Sequence, residues 1–238
     1  VSEGMICAED ELGLGKGHDG ILVLDAGAEV GAGAAAALGV ESDHRIEIGL
    51  TPNRTDAMGH IGVARDLRAA LLWNGGTGTG SGVPALAPSA AYALEESTGP
   101  IALHVEDTNG APCYMGITLR NVKVGPSPDW MQHRLRAIGL EPKNNIVDVT
   151  NYVLHDLGQP LHAFDADRVA GQEVRVRKAN EGEAFTALDG KEMTLTAADL
   201  VIADAEKPMC LAGVFGGAHS GVHEGTTSVF LESAWFEP

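Results

Sequence analysis

Asp189-Gly190, set between two β-prone runs, makes the chain double back on itself and marks its second half as sheet-forming. Around that turn, Ile101, Leu103 and Val105 alternate with their neighbours, and Val174 and Val176 alternate with Arg175 and Arg177. A period of two predicts half-buried strands. Tyr114–Val122, Val201–Ala203 and Ser228–Phe236 supply further strand candidates. Helical stripes interrupt them irregularly. Ser127-Pro128 reads as an N-cap with proline at the first helical position, followed by Trp130, Met131, Leu135 and Ile138 and ended by Gly139. A second helix is expected near Asp148–Leu157, burying Val149, Tyr152, Val153 and Leu157, with Gly158 as its stop. Strands that are not each followed by a helix predict an α+β chain, not alternating βαβ units.

The first hundred residues are less regular. His18-Asp19-Gly20 is turn chemistry, and Ile21–Leu24 reads as a short buried strand. The small-residue run Gly31–Ala37 gives no clear assignment. Arg45–Leu50 alternates Ile46 and Ile48 with polar neighbours, predicting another strand. Thr51-Pro52-Asn53-Arg54-Thr55-Asp56 is rich in helix-start residues, and Met58, Ile61, Ala64, Leu67 and Leu71 follow at helical spacing to about Trp73. The Gly/Thr/Ser-rich stretch from Asn74 to Pro84 predicts a flexible linker or boundary. No repeat of 20–50 residues is visible.

At 238 residues the chain has material for one to three domains. It opens at Val1 without an initiator Met, a leader or a cleavage site, as an internal fragment would. No apolar run approaches bilayer length, so no membrane partner is expected. Cys7, Cys113 and Cys210 are odd in number, far apart and without a CxxC, which fits a reducing cytoplasm and supports neither a disulfide framework nor a zinc ribbon. A net charge of −17 argues against broad adhesion to nucleic acid. Residues 120–178 hold 9 basic against 7 acidic side chains, leaving 7 against 26 elsewhere. That near-neutral island could face RNA without gripping it, and a solvated surface of mixed sign is an equal reading.

Three features could carry chemistry. His162, in Gly158-Gln159-Pro160-Leu161-His162-Ala163-Phe164-Asp165, follows a proline-fixed turn; between apolar neighbours such a histidine is, on pattern alone, more often a satisfied core residue than a catalyst. Leu211-Ala212-Gly213-Val214-Phe215-Gly216-Gly217 places glycines at a strand end, where N–H groups can hold an anion or a carbonyl oxygen, or simply form a tight turn. Glu232 shares a strand face with Phe230 and Ala234, so it is either exposed at a sheet edge or buried with a hydrogen-bond donor. His219, His223 and Glu224 cluster, but Ser220-Gly221-Val222 between the histidines reads as a loop, and no metal site is expected. There is no Gly-x-Ser-x-Gly elbow and no Cys/His pair at a helix start, so no covalent nucleophile is supported.

These features occur in an order that resembles the β subunits of bacterial phenylalanine–tRNA ligases. Asn144–Val153, Gly158–Asp165, Leu188-Asp189-Gly190, Asp199–Asp204, Ala212–Gly217 and Leu231-Glu232-Ser233-Ala234 resemble that family's editing module. Thr51–Asp56 looks like the TPNRxD signature of an earlier domain, and Glu3–Ala8 resembles the closing part of its OB-fold tRNA-binding domain. The resemblance implies a multidomain α+β fragment: residues 1–38 the tail of the OB-fold domain, 39–86 a small α+β domain, and 87–238 a mixed α/β editing module cut short at its C-terminal end. It implies a cytoplasmic (αβ)₂ enzyme whose α subunit carries out ATP- and Mg²⁺-dependent aminoacylation, with no cofactor in this region. The β region would meet the 3′ end of tRNA(Phe) and hydrolyse tyrosine wrongly attached to it. By motif, the pocket positions are Thr150, Asn151, His162, Gly213, Gly216 and Glu232.

The resemblance gives Glu232 a task with a physical rationale. An apolar synthetic site built for phenylalanine rejects a hydroxylated isostere by only about 10². A second site with an ionised carboxylate inverts the preference: tyrosine's hydroxyl satisfies it, whereas phenylalanine strips its water and returns nothing. His162 would position or activate the attacking water, and N–H groups in Gly213–Gly217 would steady the carbonyl. The competing reading is a scaffold that binds tRNA and the α subunit without hydrolysis.

Overall fold

The computed structural model describes residues 4–15, 17–40, 42–74 and 99–237, and the chain divides into two compact units, residues 1–45 and 46–238. The expected linker from Asn74 to Pro84 lies outside the described residues except for Asn74, which caps a helix.

In the first unit the regular element among the described residues is α1 (Ala34–Ala37), one turn within the small-residue run. The strand expected at Ile21–Leu24 does not form. Leu22 donates to the Cys7 carbonyl at 2.8 Å, but Ile21 and Val23 are 58% and 80% exposed. A strand needs a neighbour to take up its N–H and C=O groups along its length, and beyond that single bond the apolar run finds none among the described residues. Arg45–Leu50 is irregular for the same reason, with Ile46 78% exposed.

In the second unit, at the Thr51–Asp56 motif, Arg54 binds both carboxylate oxygens of Asp56 and reaches Asp66 on the following helix. A 3₁₀ turn (Thr55–Ala57) leads into α2 (His60–Trp73). The helix matches its predicted spacing, but Gly62 is its buried residue and Leu67, Leu71 and Trp73 are exposed. It packs on α4 (Asn145–Leu157), which follows α3 (Asp129–Ala137). A Cβ on Gly59 would lie 2.6 Å from the backbone N of Gly158, so glycine is required where those chains cross.

The α3–α4 region corrects the sequence reading in two ways. Ser127 does not cap α3; its hydroxyl donates to Asp148, a fully buried carboxylate that also accepts from the Lys143 N–H. The α4 cap is Asn144, whose Oδ1 accepts from the N–H groups of Ile146 and Val147, so the helix starts three residues early. Its buried residues are Asp148 and Thr150, while Val149 and Leu157 are exposed. The polar pair Ser127–Asp148 outcompetes the apolar stripe because a buried carboxylate demands donors and an aliphatic side chain does not.

Three sheets follow. In chain order the strands are β1 (Ala102–Val105), β2 (Cys113–Arg120), β3 (Leu161–Asp165), β4 (Glu173–Lys178), β5 (Ala184–Thr186), β6 (Glu192–Thr194), β7 (Leu200–Ala203), β8 (Pro208–Leu211), β9 (Phe215–Gly216) and β10 (Ser228–Trp235). Five form a sheet in the order β1-β4-β7-β8-β9, with β1 parallel to β4 and the rest antiparallel. β2-β10-β3 form an antiparallel sheet, and β5-β6 the hairpin that turns at Asp189-Gly190. The main core joins Phe164 and Phe230 of the three-stranded sheet to Val174, Val176, Ile202 and Cys210 of the five-stranded one. Val174 and Val176 are fully buried, each contributing about 1.5–3 kcal/mol, and hold the two sheets against one another.

Candidate functional site

Glu232 sits mid-strand on β10, directly opposite His162 on β3 and Gly116 on β2. Directly paired residues in an antiparallel sheet project to the same face. That face is the buried one: Phe230 precedes Glu232 on it by one repeat, its ring 6.3 Å from that of Phe164. Gly116 is needed there, since a Cβ would meet the Phe230 ring. The site therefore lies where the three-stranded sheet meets the β8–β9 edge of the five-stranded one.

Glu232 is 6% exposed. Its Oε2 accepts a hydrogen bond from the hydroxyl of Tyr114, which projects from β2 two positions from Gly116 and is itself buried. Burial pushes the Glu232 carboxyl up to about 7, with the Tyr114 hydrogen bond pulling the other way. Burial and the facing carboxylate raise the Tyr114 phenol far above its ordinary value, so Tyr114 is the donor of the pair.

His162 packs edge-on against Phe164, ring centroids 4.6 Å apart, and its Nε2 lies 3.5 Å from Cys210 Sγ on β8. Burial lowers the imidazole below its ordinary range, and burial with the Glu232 charge pushes the Cys210 thiol up to about 12. Both are neutral near pH 7. This is a thiol beside an imidazole, not a thiolate–imidazolium nucleophile. The contact serves either tautomer of the neutral ring, with the thiol donating to Nε2 or Nε2–H donating to sulfur.

The glycine segment covers this cluster. Gly213 takes a left-handed conformation (φ 69°), and a Cβ there would come 3.2 Å from the Phe236 ring, which in turn lies 6.4 Å from that of Tyr114. A Cβ on Gly216 would come 3.0 Å from His162 Cε1. The segment's N–H groups are fewer than the sequence suggests: Val214 donates to Leu211 O and Gly217 to Met209 O. Those two, together with Phe215, which pairs with Leu211 in the β8–β9 ladder, are removed from the set that could hold a carbonyl oxygen, leaving Gly213 and Gly216.

Of the residues singled out in sequence, His162, Glu232 and Gly216 thus converge, with Gly213 joined through Phe236. Thr150 and Asn151 lie on α4, which packs against β3. The Thr150 hydroxyl donates to Val147 O within its own helix, and among the described residues no hydrogen bond joins either residue to Glu232 or His162. Tyr114 and Cys210 were missed. The glycine at position 116, inside an otherwise β-prone run, was the available signal of close approach.

Two other features stand apart. A cleft lined by Arg168, Phe185, Lys207, Met209 and His219 includes neither Glu232 nor His162. His223 pairs with Asp165 (Nε2–Oδ2 3.0 Å), and among the described residues no group of three or more His, Cys, Asp or Glu converges on a metal position. The basic side chains late in the near-neutral island are engaged in ion pairs: Arg175 with Glu173 and Glu106, Arg177 with Glu183, Lys178 with Asp107. Among the described residues, no helix is long and apolar enough to cross a membrane.

Residues 110–238 match the B3/4 domain family. The whole chain aligns with the phenylalanine–tRNA ligase β subunit of Porphyromonas gingivalis at 51% identity, and with that of Bacteroides fragilis at 50%, covering 28% of each of those proteins. The chain thus spans little more than a quarter of the curated relatives it matches. An N-terminal fragment of the phenylalanyl-tRNA synthetase β subunit from Pyrococcus horikoshii overlays with a TM-score of 0.45 at 18% identity, over 78% of this chain and 53% of that one.

Proposed function

Since this chain belongs to the B3/4 domain family and is related along its whole length to phenylalanine–tRNA ligase β subunits, we infer that it is the proofreading region of such a subunit, hydrolysing tyrosine from mischarged tRNA(Phe). One observation carries this reading. Glu232 is a nearly dry carboxylate whose hydrogen-bond partner is a phenol, so its surroundings already have the chemistry of tyrosine recognition.

The discrimination is electrostatic. A tyrosine hydroxyl entering beside Glu232 donates to an acceptor that has lost most of its water. A phenylalanine ring removes the remaining water and replaces it with nothing, which costs about 1–3 kcal/mol. The hydrolysed bond is the ester joining the amino acid to the terminal ribose, and water is the nucleophile. Neutral His162, its Nε2 facing the Cys210 thiol, orients or deprotonates that water. N–H groups of Gly213 and Gly216 stabilise the charge that develops on the carbonyl oxygen. Thr150 and Asn151 on α4 contact the aminoacyl-adenosine end.

In this reading the region works in the cytoplasm within an (αβ)₂ enzyme. ATP and Mg²⁺ act in the α subunit. A scaffold role without hydrolysis predicts no preference between the two amino acids at the site. Crystals soaked with each at equal concentration test this: tyrosine should bind with its hydroxyl on Glu232 while phenylalanine leaves the site empty, and equal occupancy would remove the discriminator.

A further inference from the structure

The finding that Glu232 is already bonded to a phenol raises a question for any ligand that brings a second one. Two arrangements are conceivable. The ligand hydroxyl displaces Tyr114, or it binds beside it on the other carboxylate oxygen.

Displacement gives no selectivity. Exchanging one phenol for another on the same acceptor leaves the number and kind of hydrogen bonds unchanged. A phenylalanine ligand would leave Tyr114 in place and strand nothing. Retention of Tyr114 preserves selectivity, because the second oxygen is then the one that a bare ring would desolvate.

The structure bears on which oxygen is available. Tyr114 holds Oε2, and among the described residues no buried side-chain oxygen or nitrogen lacks a partner. Among the described residues Oε1 has no protein partner, so it is not sealed in the interior: it remains within reach of a water-sized group. Tyr114 is anchored on its side by pairing with Ala234 across β2–β10 and by the Phe236 ring at 6.4 Å.

We propose that Tyr114 is a positioning residue of this site, holding Glu232 Oε2 so that Oε1 is presented to the substrate's phenol as an ionised acceptor. The inference rests on the proofreading reading above and deepens it. The titratable groups facing Glu232 are Tyr114 from β2, His162 from β3 and Cys210 from β8. His162 and Cys210 are both held neutral by burial, which leaves the Tyr114 hydroxyl as the group that favours the charged form of Glu232.

The test is Tyr114→Phe in the complete α and β enzyme, with hydrolysis of Tyr-tRNA(Phe) followed across pH. Phe-tRNA(Phe) synthesis, performed elsewhere in the enzyme, reports that the variant is folded. Deacylation should fall about tenfold or more at neutral pH, the acidic limb should move to higher pH, and the loss should narrow under alkaline conditions. Replacing Tyr114 with 3-fluorotyrosine, a stronger donor of nearly the same shape, should move that limb to lower pH. An unmoved limb in both variants reduces Tyr114 to a packing role, and faster hydrolysis by Tyr114→Phe makes it a competitor; either result overturns the proposal. Glu232→Ala run alongside separates the two levels. If it abolishes tyrosine preference while both Tyr114 variants behave as wild type, only the positioning role fails. If it leaves the preference intact, the proofreading reading fails and this inference with it.

Discussion

Glu232 and His162 face one another as a direct cross-strand pair between β10 and β3, and the same burial acts on them in opposite senses. The carboxyl is driven toward its neutral form and so is the imidazole. The pair therefore does not settle into an internal salt bridge near neutral pH, and each remains available to something from outside. An acceptor for a phenol and a neutral base for water, one strand apart, is the pairing on which the proposed proofreading rests.

The raised carboxyl has a consequence for stability. In the folded chain Glu232 releases its proton at about 7, against an ordinary value of 4.5. Between those values the folded state binds more protons than the unfolded one, so stability falls as pH rises through that window and levels off above it. The full loss is on the order of 3 kcal/mol. Glu232→Gln, neutral at every pH, should escape it. The stability difference between the variant and wild type should therefore grow from pH 4.5 to 7, and taking that difference cancels the opposite contribution of His162. Parallel curves in urea melts would show that the site does not hold the carboxyl neutral.

His162→Ala should slow hydrolysis of Tyr-tRNA(Phe) by roughly 10²–10⁴ if the imidazole acts as general base. Tyrosine should still be preferred over phenylalanine, because the discriminating acceptor is untouched. Deacylation kinetics on both charged tRNAs will show it. Loss of preference with turnover intact would place His162 in recognition instead.

Gly216→Ala offers a gentler perturbation of the same group. The added methyl would press on His162 Cε1 at 3.0 Å, so the ring must shift by a few tenths of an ångström. Misplacement on that scale costs rate more than stability. The expected result is a reduced rate with a melting temperature near wild type, read by deacylation and calorimetry. A rate equal to wild type would mean that the position of the imidazole does not matter.

Much of the framework was legible in the sequence because it rests on local chemistry. The Asp189-Gly190 turn, the Gly158 helix stop and the Val174/Val176 alternation each impose their structure within a few residues. Ile21–Leu24 and Arg45–Leu50 misled for the complementary reason: alternation describes a strand's faces but does not supply its neighbour. The face of α4 was misjudged because Asp148 took the interior, and nothing local announces that Ser127, 21 residues away, donates to it. Glu232 could be placed on an apolar strand face from its own neighbours. Its partner could not, since Tyr114 lies 118 residues earlier and reaches it only through the β2–β10 register. Cys210 was set aside as an isolated thiol, and its place beside His162 follows from two sheets packing together.

The most direct measurement is paired deacylation of Tyr-tRNA(Phe) and Phe-tRNA(Phe) by the complete enzyme carrying Glu232→Ala. Hydrolysis of the tyrosyl species should fall to the level of the phenylalanyl one while Phe-tRNA(Phe) synthesis continues. Undiminished hydrolysis of Tyr-tRNA(Phe) would contradict the account.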